Sequence, residues 1–157
     1  PPLRAKSRVR TKPKRYFVDP SLPAAVLGAA PNTLMRDTQT LGDLFETLCI
    51  RDLNVYLSAM PGAGNRIAYY RDDKGLGVDV IIELSDGRWG AIEIKLSDLK
   101  VNDDNADKLK SFRNKICGNP MAQVRDPEFM MFLTGRGGKA YRRNDGILVV
   151  PIATLGA

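Results

Sequence analysis

The 157-residue sequence predicts a single domain of the α/β class. Three observations carry that prediction. The stretch Gly77–Ser97, GVDVIIELSDGRWGAIEIKLS, reads as two strand-like arms around a Ser-Asp-Gly turn. Two segments, from Thr40 to Leu57 and from Asp103 to Cys117, place apolar residues at helical spacing. Phe129 to Leu133 and Ile147 to Ile152 are compact apolar runs of strand length. With a further strand at Ile67 to Arg71, the order is helix, three strands, helix, strands.

Taken in order, residues 1–15 form a basic arm and 16–157 the domain. The arm carries Arg4, Lys6, Arg8, Arg10, Lys12, Lys14 and Arg15 and no acid, which leaves the body close to neutral within a total charge of +6. Basic residues on every second position from 4 to 14 suit an extended segment with one cationic face laid along phosphates. A charged, soluble edge strand fits the same spacing. The chain begins without Met inside this pattern, as expected of a fragment of something longer.

Tyr16 to Val18 and a short helix over Leu22 to Ala30 read as packing elements. In the long helix, Thr40 is the expected cap, with Asp43 in the first turn. One face carries Leu41, Leu44, Phe45, Leu48, Val55 and Tyr56, and a second stripe carries Cys49, Ile50, Leu53 and Leu57. Glu46 stands at the N-terminal end of that second stripe. Asp72 to Gly75 turns the chain into the hairpin. The helix at 103–117 has acids at its start, basic residues later and Gly118 just past its end. Gly135 to Lys139, with Arg142 and Arg143, reads as a flexible basic loop, and it lacks the spacing of a phosphate-binding P-loop.

Composition excludes several classes of function. There is no histidine, so histidine-based nucleophilic catalysis and imidazole metal sites are ruled out. The two cysteines, Cys49 and Cys117, have neither metal-ligand nor disulfide-scaffold spacing and read as buried thiols. No apolar run approaches membrane-spanning length, and a cytoplasmic location is expected. Any catalysis must rest on carboxylates and lysine.

The hairpin concentrates those groups. Val78, Val80, Ile82 and Leu84 on the first arm and Ile92, Ile94 and Leu96 on the second form an aliphatic face that must be core. The opposite face mixes Asp79, Ile81, Ala91, Glu93 and Lys95, as a cleft wall does. A three-residue loop Ser85-Asp86-Gly87, with Gly87 in the left-handed position, sets Asp79 opposite Glu93 with β-carbons roughly 5 Å apart. Two carboxylates that close repel unless a proton or cation lies between them. Mg²⁺ (or Mn²⁺) fits, held by Asp79, Glu93 and the backbone carbonyl of Ile94. Lys95 is placed to orient the attacking water or neutralise phosphate charge, and Glu46 to add a ligand from the helix.

Glu46 on a helix, Asp79, and then Glu93-Ile94-Lys95 on the next strand resemble the PD-(D/E)XK nuclease-like superfamily. The segments RYFVDPSL, LGDLFETL, IAYYRDDKGLGVDVII, AIEIKLS and ILVVPI resemble, over roughly residues 14–152, the C-terminal domain of bacterial and archaeal AAA-type ATPases. The resemblance implies a restriction-endonuclease-like αβββαβ core with a mixed central sheet flanked by helices. It implies Glu46, Asp79, Glu93 and Lys95 as catalytic residues of a Mg²⁺-dependent deoxyribonuclease. It further implies nucleic acid, DNA in the first place, as partner, and ATP bound by an N-terminal ATPase module absent from this chain. A catalytically inactive DNA- or protein-binding module that regulates the ATPase shares the fold and stays open as the alternative.

Overall fold

The computed structural model describes residues 14–120 and 123–155. Arg4, Lys6, Arg8, Arg10 and Lys12 of the expected basic arm lie outside the described residues.

Two short helices, α1 (Ser21–Val26) and α2 (Pro31–Leu34), precede the long α3 (Thr38–Ala59). Strands β1 (Arg66–Arg71), β2 (Gly77–Glu83) and β3 (Trp89–Lys95) follow, then a 3₁₀ turn at Asp98–Lys100 and α4 (Asp103–Cys117). Strands β4 (Phe129–Thr134), β5 (Tyr141–Arg142) and β6 (Leu148–Pro151) complete a six-stranded sheet in the order β1-β2-β3-β4-β6-β5. The sheet is mixed: β1-β2, β2-β3 and β5-β6 are antiparallel, whereas β3-β4 and β4-β6 are parallel. Parallel β3 and β4 need a long crossover, which α4 supplies.

Alternation along the central strands builds one core on each face of the sheet. On one face, Cys49, Ile50 and Leu53 of α3 meet Val80, Ile92 and Leu133. On the other, Ala106, Leu109 and Phe112 of α4 meet Ile81, Ala91 and Phe132. Phe112 is fully buried, edge-on to Trp89 at 6.0 Å between ring centroids. The two apolar stripes of α3 imply a helix buried on more than one side; in the structure every residue of the second stripe is buried, whereas none of the first is, and Val55 is exposed.

The expected cleft-wall face is corrected by this arrangement. Ile81 and Ala91 are core residues beneath α4, and only the end of that face near Glu93 and Lys95 is open. Val78 also departs from the aliphatic face. Between Ala68↔Ile81 and Tyr70↔Val78, Tyr69 of β1 opposes two residues of β2, Asp79 and Val80. This bulge resets the alternation, so Val78 joins the α4-side core while Val80 lies under α3.

Three hairpin turns share one construction. Each has a three-residue loop whose last residue is a glycine in the left-handed region: Gly75 at φ 84°, Gly87 at 86° and Gly146 at 86°. The bonds repeat as well. Leu84 N–H donates to Arg88 C=O at 2.8 Å and Gly87 N–H to Leu84 C=O at 3.0 Å, and Arg143 with Ile147 and Gly146 with Arg143 do the same at 2.9 Å each. A side chain at these φ values is strained, which is why glycine stands there.

Other expectations shift. The α3 cap is Asp37, not Thr40: Asp37 Oδ1 accepts from Thr40 N–H at 3.1 Å and Oδ2 from the Thr40 hydroxyl at 2.7 Å. The segment expected to pack leaves Phe17, Val18, Leu22 and Val26 exposed, since the six-residue α1 buries only Pro23. The basic loop contains β5, and Arg143 is paired with Asp103 at 2.6 Å and Asp145 at 3.2 Å. Helix α4 matches its predicted limits, with Asn102 as cap. Cys49 is buried and Cys117 half-buried.

Gly90 of β3 lies directly beside the ring of Phe129, its partner on β4, and a Cβ at position 90 would come within 2.8 Å of three atoms of that ring. Gly90→Ala is expected to lower unfolding stability by about 1–3 kcal/mol in urea titrations. A change within experimental error contradicts the packing described.

Candidate functional site

The site begins with the turn at Ser85-Asp86-Gly87. That loop fixes the β2-β3 register as Glu83↔Trp89, Ile82↔Gly90, Ile81↔Ala91 and Val80↔Ile92. The predicted register is therefore the observed one, but pairing stops one step short of Asp79 and Glu93. Past this point the Ile94 N–H donates to Asp79 Oδ2 at 3.0 Å. In a strand the N–H and C=O of one residue point to the same edge, so the Ile94 carbonyl also faces the β2 side where the ladder has opened.

The strand ends and helix starts enclose an open cleft of about 650 Å³. Helix α3 contributes Glu46, β2 contributes Asp79, and β3 contributes Glu93, Ile94 and Lys95. The four predicted catalytic residues and the predicted carbonyl ligand thus line one cavity. The sequence reading missed Gln39 at the start of α3, Lys100 and Asn102 on the approach to α4, and Asn105 in its first turn, which line it too. Their signal was positional: Lys100 and Asn102 follow Lys95 closely and lead into a helix start, where side chains project beyond a strand end. Both helices present residues of their first two turns to the cleft, the end that carries the positive pole of the helix dipole.

Each carboxylate has a donor of its own. Lys95 Nζ donates to Glu93 Oε1 at 2.7 Å, with both side chains largely covered. Glu46 Oε1 accepts from the Tyr16 hydroxyl at 2.6 Å and is ion-paired with Lys14. Lys14 Nζ also lies 5.3 Å from the centroid of the Tyr16 ring. Burial, and then the hydrogen bond to Glu46, push the Tyr16 hydroxyl above its ordinary pKa. The thiol of Cys49 is likewise pushed up by burial and by the nearby carboxylates of Asp52, Glu46 and Asp79. Among the described residues no three carboxylate or thiol groups stand close enough to form a ready-made metal cluster.

Three basic residues of α4 are paired with acids. Lys110 pairs with Asp145 at 3.1 Å, Arg113 with Asp126 at 2.9 Å and Lys115 with Asp72 at 2.6 Å. These cations tie α4 to neighbouring loops. No helix among the described residues is long and apolar enough to cross a membrane.

Burial, and then the Glu93 carboxylate, push the Asp79 pKa up from 3.8 to about 6, against the lowering effect of the Ile94 N–H. Because the folded pKa is raised, the folded chain holds this proton more tightly than the unfolded one. The resulting stability is full below about pH 4 and is lost as pH rises through about 6. Asp79→Asn keeps an acceptor for Ile94 and removes the charge. The variant is expected to be more stable than wild type at about pH 7.5 in urea unfolding, with the advantage gone near pH 4. An advantage of equal size at both pH values contradicts this account.

One family model, described as "Domain of unknown function (DUF4143)", matches residues 41–155. No curated protein and no solved structure matches the chain. The matched stretch runs from the first turns of α3 to the end of the sheet and contains Glu46, Asp79, Glu93 and Lys95, while Lys14 and Tyr16 lie ahead of it. With most of its length and its whole sheet inside the match, the chain belongs to the DUF4143 family.

Proposed function

We propose that this domain is a PD-(D/E)XK-type nuclease module that hydrolyses phosphodiesters in DNA with Mg²⁺ or Mn²⁺. The observation that carries the reading is the convergence of Glu46, Asp79, Glu93 and Lys95, from α3, β2 and β3, on one cleft. The donor set suits a hard cation: two carboxylates and the outward-facing Ile94 carbonyl, all oxygen, with room for water and phosphate oxygens. A divalent ion bound to Asp79, Glu93 and Ile94 supplies positive charge to the phosphate and acidifies a bound water. The protein's own groups prepare that position. The Ile94 N–H fixes Asp79, and Lys95 holds Glu93 while presenting an ammonium to developing negative charge. In the hydrolysis itself, water oxygen joins phosphorus, the bridging oxygen leaves, and that oxygen takes up a proton.

The resemblance to domains of AAA-type ATPases supports a place in a larger ATPase, with ATP bound by an N-terminal module outside this chain. A cytoplasmic location accords with that role. One observation favours the second reading, a non-catalytic DNA- or protein-binding regulator: each of the three carboxylates is already satisfied by a protein donor.

Cleavage assays with plasmid and single-stranded DNA plus Mg²⁺ or Mn²⁺ separate the two readings. Asp79→Ala and Lys95→Ala are each expected to slow cleavage by about 100-fold or more. Cleavage that persists in both variants discards the site, and DNA binding without cleavage in the wild type favours the regulator.

The arm is proposed to add phosphate contacts. Replacing Arg4, Lys6, Arg8, Arg10 and Lys12 by Gln is expected to flatten the log–log salt dependence of DNA binding by up to about 4 units. An unchanged slope assigns the arm no role in binding.

A further inference from the structure

Lys14 meets the cleft at Glu46, one of its lining residues. Lys14 and Tyr16 converge on a single oxygen, Glu46 Oε1, and the Lys14 ammonium is also drawn to the Tyr16 ring. Glu46 is 19% exposed at its side chain, so this is an enclosed carboxylate and not a freely solvated one. Lysine donates hydrogen bonds and accepts none, so its ammonium can serve Glu46 only as a cation. Of the three carboxylates, Glu46 is paired with Lys14 and Glu93 with Lys95; Lys100 also lines the cleft.

We propose that Lys14 is the resident counter-ion of the cleft, the group a divalent cation displaces from Glu46. The inference rests on the metal reading of the same cleft. Glu46 is engaged by a lysine from outside the matched DUF4143 stretch. Entry of a divalent ion exchanges one cation for another at Glu46. Lys14, freed on a segment that continues a run of basic residues, is then available to a substrate phosphate.

The test is Mn²⁺ binding by electron paramagnetic resonance on the 157-residue chain without DNA. Lys14→Met removes the competing cation and is expected to tighten Mn²⁺ binding by up to about fivefold, the range of a partly exposed ion pair. Lys14→Arg keeps the charge and is expected to bind Mn²⁺ as the wild type does. Adding Glu46→Gln to Lys14→Met is expected to abolish the gain. If the wild type binds Mn²⁺ and Lys14→Met binds it no more tightly, the counter-ion role is overturned while the metal reading stands. If neither protein binds Mn²⁺, both fall. Urea unfolding of each variant verifies that affinities are compared between folded proteins.

Discussion

One backbone donor governs the cleft. Past Val80 and Ile92 the β2-β3 pairing stops, and the Ile94 N–H must find an acceptor other than a strand carbonyl. A buried N–H left unpaired costs about 1–3 kcal/mol, so the position demands a side-chain oxygen at strand distance. Asp79 provides it. The same bond draws a carboxylate into the gap between strands, close to Glu93 and partly out of water, where its negative charge is disfavoured. The bulge opposite Tyr69 cooperates by resetting the alternation of β2 at this residue. Strand divergence, a displaced acidic side chain and a carbonyl left facing the opening are therefore one feature seen from three sides.

The hairpin was legible because its chemistry is local. A two-residue Asp86-Gly87 turn would set acids against aliphatics, so the alternation of the two arms selects the three-residue Ser85-Asp86-Gly87 loop. That register brings the β2 and β3 acids to the same end of the sheet. Helix α4 was legible for a similar reason, since the early acids and Gly118 mark its two ends. Glu46 could be placed on the sheet-facing side of α3 by counting helical spacing from Cys49 and Ile50. The same Asp-Gly signal at Asp145-Gly146 would have revealed β5, but the surrounding arginines drew attention to charge instead of turn geometry.

What could not be read depends on long-range contacts. The bulge at Asp79 and Val80 answers to β1, and no residue in the hairpin announces it. Whether Ile81 and Ala91 face a cleft or a core is decided by α4, which packs over them from beyond the hairpin. The cap at Asp37 was overlooked because Thr40 offers an equally good local pattern, and in the structure the two residues bond to each other. The apolar residues from Phe17 to Val26 look like core by composition, yet most of them find no partner surface among the described residues.

The split origin of the site also sets an order of assembly. Asp79, Glu93 and Lys95 are joined through a three-residue loop, and a hairpin of this kind closes in about 1–10 μs. Glu46 arrives from a helix more than thirty residues upstream, and Lys14 and Tyr16 come from further away still. Closing such long loops carries more entropy and follows local pairing. The strand-borne half of the cleft is therefore the older part in the life of each folding molecule, and the ion pair at Glu46 is among the last contacts made.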